Sequence, residues 1–217
     1  MKKTTHTSSK KQPLRYHAEA DLAYLVKLNR IGHGWSTEEL SFLIGRPLNY
    51  INTRENLKAN SQFTVEDLVF MATAFDMSAT EMVMHNPGEF RQFQFQATVE
   101  QKGNIIFHEI WRIDKQSQFM LCRLYEFPAK PDPEKEKIEM QAIIKIISRI
   151  IKTGFFKQPR HPLSIYRHCC KLYKKGLAPS IVKKVLAHFA SGNLPAKLQL
   201  KKNKDESGKY ALVTSSA

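Results

Sequence analysis

Two short apolar stripes, separated by one glycine and one proline between Gly34 and Glu55, constrain this chain more than any other feature. Ser36 and Glu39 have the S-x-x-E spacing of a capping box, in which each side chain satisfies a backbone N–H of the other and a helix begins. Leu40, Leu43 and Ile44 recur at i, i+3 and i+4, one face of a helix. Gly45 tolerates the positive φ that ends it. Pro47 is accepted in a first turn, so a second helix carrying Tyr50, Ile51 and Glu55 is predicted to start there. Two helices joined by so tight a turn form the arrangement that lets the second enter a DNA groove.

The pattern continues on both sides. Leu22, Leu25, Val26 and Leu28 suggest a leading helix, closed by the turn Ile31 to Gly34. Thr64 caps a helix with an acidic first turn at Glu66 and Asp67, and Ser78 with Glu81 makes another capping box. The ordered set Gly34, Ser36, Glu39-Leu40, Gly45, Ile51, Glu55, Leu68, Ala72 to Phe75, Ser78 and Glu81 resembles the Xre/lambda-repressor-like helix-turn-helix family over about residues 18–84. Thr37, Pro47 and Leu48 depart from residues usual in that family, and Arg46 and Arg54 stand at places usually apolar. By position, the resemblance implies that Leu48, Asn49, Asn52 and Thr53 face the groove. Asn can pair bidentately with adenine, while Leu or a Thr methyl can touch a thymine methyl. Repressor-like relatives bind as homodimers, which sets half-site spacing.

The formal charge of +14 favours a polyanionic partner, but it is spread unevenly. Residues 1–15 hold five Lys/Arg and no acid, and read as a disordered basic arm. Residues 16–88, the helix-turn-helix domain, hold five basic and nine acidic residues, net −4. Residues 89–129 are neutral, and residues 130–217 hold 19 basic and six acidic residues. Counterion release drives affinity for DNA, so an acidic helix pair needs help from the arm or from the C-terminal part. Lys10, Lys11 and Arg46 are the expected backbone contacts nearby.

Residues 89–129 change period. Phe93, Phe95, Ala97 and Val99 alternate with polar residues, as do Ile105, Phe107, Trp111 and Ile113, and then Phe119, Leu121, Tyr125 and Phe127. A three-stranded antiparallel meander is predicted, needing a cover for its apolar face. Phe42 and Phe70 are expected to pack against this sheet or a second subunit, and with Trp111 on the sheet itself they mark a candidate partner surface.

Pro128 to Pro133 reads as a linker. Met140, Ile143, Ile144, Ile147, Ile150 and Ile151 form a helical stripe, ended by Gly154. A second helix is predicted over 163–175, stopped by Gly176, and a third starts at Pro179 with Ile181, Val182, Val185, Leu186 and Phe189 inward. Leu198, Leu200, a polar turn, Tyr210 and Leu212 complete a β-hairpin. Three helices and a hairpin, in that order, resemble the winged-helix class over about residues 138–213. That resemblance implies a third helix in a major groove, with Lys183, Lys184 and His188 on its polar side. Lys201, Lys202, Lys204 and Lys209 would then meet phosphates from the hairpin.

Catalytic signatures are missing from the sequence: there is no Gly-rich phosphate loop, no G-x-S-x-G and no H-E-x-x-H. Adjacent Cys169 and Cys170 lack the C-x-x-C spacing of a metal site, so neither a metal nor a cofactor is expected. Three cysteines make no disulfide framework and no run is long enough to span a membrane, which points to the cytoplasm. The fold class expected is mainly α with small β: a helix-turn-helix bundle, a meander and a winged-helix-like module. The function expected is a sequence-specific, non-enzymatic DNA-binding regulator acting on double-stranded DNA. The rival is a docking or antitoxin-like factor with a degenerate helix-turn-helix. Single-stranded binding with Trp111, Tyr125 and Phe127 as stacking platforms is a third reading.

Overall fold

The computed structural model describes residues 14–57, 62–83, 92–114, 117–128, 132–191, 198–202 and 208–212. Residues 1–13 of the expected arm (with Lys10 and Lys11) and Lys204 lie outside these. The architecture is mixed α/β.

Five helices come first: α1 (His17–Gly32), α2 (Thr37–Leu43), α3 (Tyr50–Glu55), α4 (Val65–Ala74) and α5 (Ala79–Val83). Their starts are set locally. Ser36 and Glu39 exchange both capping-box bonds at the head of α2, and Thr64 and Asp67 do the same for α4. At α5, the Ser78 and Glu81 backbone amides donate to each other's side chains. The second helix of the pair begins later than Pro47 suggests. Tyr50 N donates to Pro47 O in a three-residue turn, and the helical ladder starts only with Thr53 N to Asn49 O. Leu48 and Asn49 therefore sit on a turn ahead of α3.

The sheet has four strands, one more than the pattern suggests. β2 (Gln92–Lys102), β3 (Ile105–Ile113) and β4 (Gln118–Glu126) pair antiparallel in sequence, and β1 (Leu14–Tyr16) adds to the free side of β2 with Leu14 opposite Gln94. Leu14 and Arg15, assigned to the arm from sequence, are thus sheet residues. The β2–β3 turn is two residues, with Gly103 at φ +61°, as glycine permits. A bulge between Ile110 and Trp111 shifts the β3–β4 register. Ala20 and Ala23 of α1 pack on Phe95 and Ile110, because two alanines let the helix approach the sheet closely.

Three further helices follow: α6 (Pro133–Lys152), α7 (Pro162–Tyr173) and α8 (Pro179–Ala190), with a 3-10 turn at Phe155–Lys157 and the hairpin β5 (Leu198–Lys202) and β6 (Gly208–Leu212). Lys174, at φ +58°, ends α7 two residues before the glycine expected to do so. The α6 stripe is buried at Ile143, Ile147 and Ile150. These residues share one continuous core with Leu40, Leu43, Ile51 and Met71 of the first helices. Helix α2 packs on α7 and α8 as well as on α3. No helix among the described residues is long and apolar enough to cross a membrane.

Candidate nucleic-acid interface

The α2–α3 pair is fixed by buried polar groups. Ser41 Oγ donates to Thr37 O (2.8 Å) and accepts from Ile51 N (3.1 Å), tying the end of one helix to the start of the next. Gly45 takes φ +70° to turn the chain, and Arg46 N closes the turn on Ser41 O at 2.9 Å. Asp67, fully buried, is a hub: it caps α4, accepts from Arg46 Nε (2.8 Å) and from Tyr50 Oη, and so joins three segments. Burial pushes its carboxyl up, but the bonds from Tyr50, Thr64 and Arg46 outweigh that and hold it below the usual carboxylate range. Burial and the same bond push the Tyr50 hydroxyl above its ordinary value.

A second network braces α3 from behind. Arg30 and Glu55 form a bidentate pair (2.8 and 3.0 Å) with side chains 2% and 1% exposed. Arg30 also donates to Trp35 O at 2.7 Å and approaches Glu126 of β4 at 3.4 Å. Glu126 in turn meets His108 Nε2 at 2.7 Å; this bond, with the nearby Arg30 charge, overcomes desolvation and depresses its pKa. Lys27, also buried, reaches Asn56 at 3.4 Å, and desolvation lowers its pKa. Helices α3 and α1 and the sheet therefore share one set of charges. Only Glu55 of this group belonged to the sequence pattern. Arg30 and Lys27 left one trace there, as cations beside the apolar residues Leu25, Val26, Leu28 and Ile31.

The four expected base-reading residues lie together at the start of α3. Leu48 is 46% exposed, Asn49 is exposed, and Asn52 and Thr53 are half-exposed. They differ in what they can offer. The Asn49 side chain makes no capping bond, which leaves both halves of its amide for a base. Asn52 Oδ1 already accepts from Asn56 Nδ2 at 2.6 Å. Thr53 Oγ1 donates to Asn49 O at 2.9 Å, so its methyl is the group it can present.

The expected backbone contacts are placed differently. Arg46, 9% exposed, turns its guanidinium inward to Asp67, Glu66 and Thr64. Lys183 pairs with Glu38 of α2 at 3.3 Å, and Lys184 pairs with Glu136 of α6. Glu39 Oε1 accepts from Ser180 N at 3.0 Å, so one carboxylate closes the capping box of α2 and meets the first turn of α8. Lys201, Lys202 and Lys209 fall on the hairpin strands, and their side chains lie outside the described residues.

The aromatic residues expected at a partner surface divide. Phe42 is 7% exposed and belongs to the core that unites the two helical groups, while Phe70 stacks on His161 at 3.9 Å, before α7. Both are covered by the C-terminal helices within the chain instead of by the sheet, because α2 and α4 face that group. Trp111 is half-exposed and donates to Glu109 at 2.9 Å, beside Arg123. Cys169 is buried, which pushes its thiol up to about 12, and Cys170 is half-buried. No group of three or more His, Cys, Asp or Glu side chains able to hold a metal occurs among the described residues.

No family model matches the chain, and no curated protein matches it. A solved structure described as a hypothetical transcription factor, NHTF, from Neisseria aligns at 28% identity over 36% of this chain and 87% of that one. The TM-score is 0.29, a superposition too loose to define a shared fold.

Proposed function

We propose that this chain is a sequence-specific, non-enzymatic DNA-binding regulator of the helix-turn-helix class, working in the cytoplasm on double-stranded DNA. The observation that carries the reading is the exposed group Leu48, Asn49, Asn52 and Thr53, presented at the start of a helix held from behind by the Ser41, Asp67 and Arg30–Glu55 networks. Rigid presentation of a few side chains is what direct readout of base edges needs. Asn49 is the residue assigned to adenine, with Leu48 and Thr53 touching thymine methyls. The core shared by both helical groups makes the basic C-terminal part a fixed companion of α3. A homodimer would form through the sheet, in which β4 is an edge strand among the described residues, with Phe119, Met120 and Tyr125 from 45 to 49% exposed.

Selection from a random duplex library with the full chain tests this. Enrichment of a common site, weakened by Asn49→Ala, is the expected result; a chain that enriches nothing refutes it. The rival docking reading draws on the net charge of −4 over residues 16–88. It predicts a binding partner whose affinity barely responds to salt, whereas a DNA contact weakens steeply as salt rises.

A further inference from the structure

Between Glu139 and Asp205 the chain has no acidic residue: residues 140–204 carry 15 Lys/Arg and no Asp or Glu. Among the described residues, three of these cations meet carboxylates from elsewhere, through Arg167–Asp76, Lys183–Glu38 and Lys184–Glu136. The last two pairs remove positive charge from the face of α8, while the first lies on α7. The loop after the 3-10 turn and α7 bring Arg160 and His168 onto the ring of the half-buried Phe155. Arg160 lies over the Phe155 ring at 4.8 Å, with its Nε held on Phe155 O at 2.8 Å. His168 packs on the same ring at 4.8 Å. Lys171 is exposed three residues beyond His168, hence on the same side of α7. Lys157 is exposed two residues after Phe155, its stem lying along Gly154.

We propose that this face, centred on Phe155 and carrying Lys157, Arg160, His168 and Lys171, is the surface through which the C-terminal part grips the phosphate backbone of duplex DNA, in place of α8. The proposal rests on the DNA-binding reading above and adds which surface supplies its affinity. The stack explains the composition of the patch. A guanidinium pinned by a ring and a carbonyl has lost little further freedom when it meets a phosphate, and it keeps its terminal nitrogens as donors. Flanking lysines add point charges that release counterions. Lys183 and Lys184 are already neutralised within the protein, so duplex binding gains little from them.

The test compares two double variants of the full chain, Lys157→Gln with Lys171→Gln and Lys183→Gln with Lys184→Gln, on a generic duplex of roughly three helical turns. Equilibrium binding is followed across a salt series, and far-UV circular dichroism confirms that each variant is folded. The first variant should lower the slope of log affinity against log salt by about 2, since each phosphate contact contributes about 0.9. The second should leave the slope at the wild-type value. A wild-type slope in the first variant, or equal losses in both, overturns the proposal while leaving the DNA-binding reading intact. Sensitivity to the first variant on single-stranded RNA but not on duplex overturns the assignment to duplex. A wild-type chain that binds no duplex overturns both.

Discussion

Replacing Glu55 by Gln tests whether the charge network behind α3 holds that helix in place. The carboxylate makes both bonds of a bidentate pair with Arg30, at 2.8 and 3.0 Å, and both side chains are essentially sealed from water. The amide keeps the shape and one acceptor but removes the charge. Arg30 is left buried as a cation, with Trp35 O at 2.7 Å and Glu126 at 3.4 Å as its remaining partners. Removing one member of a buried ion pair costs about 3–5 kcal/mol. Glu126 still offers a negative charge, so a loss near the lower end, about 3 kcal/mol, is expected. For a chain of this length that lowers Tm by about 6–12 °C. Urea unfolding should show a lower midpoint with an unchanged m-value, the signature of a stability change alone. In a cycle with Arg30→Met, the double variant should lose about 2 kcal/mol less than the sum of the single losses, because neither charge is then stranded. A Glu55→Gln loss under about 1 kcal/mol, or single losses that simply add, would refute the argument.

The other predictions concern Ser41, Asn49 and Asp67. Ser41→Ala leaves the buried Ile51 N–H without its acceptor, so a stability loss of about 1–3 kcal/mol is expected in urea unfolding, together with weaker binding of the selected site. Asn49→Ala should cost about 1–3 kcal/mol of discrimination at one base pair and leave the salt slope unchanged; an altered slope would mean that Asn49 contacts backbone. Asp67 titrates at a lower pH in the folded chain than in the unfolded one, so its stabilising contribution is complete above the ordinary value of 3.8 and is lost as pH falls through the depressed folded value. The stability gap between wild type and Asp67→Asn, followed by urea midpoints, should therefore narrow on acidification below about 4. A gap constant down to pH 2 would contradict that assignment.

Local rules made much of the first helical group legible. Ser36 with Glu39, Thr64 with Asp67, and Ser78 with Glu81 are three residues apart, and a capping box needs nothing from the rest of the fold. Apolar alternation likewise placed the three long strands, since a half-buried strand writes its period into its own sequence. β1 escaped notice because three residues are too few to show a period, and its pairing partner is almost eighty positions away. Leu48 and Asn49 were expected inside a helix that begins only after them.

Sequence alone therefore determined where most elements begin, which faces are apolar, and that the positive charge lies beyond residue 130. Tertiary structure decided which charges remain available. Lys183 and Lys184 look alike in sequence to Lys157 and Lys171, yet the first two meet Glu38 and Glu136, while among the described residues the others make no ion pair. Arg46 turned inward to Asp67, and Phe42 and Phe70 found their cover in the C-terminal helices. The physical reason is range: a cap or a stripe is an interaction among near neighbours, whereas an ion pair or a packed ring depends on a partner that only the folded chain brings within a few ångströms.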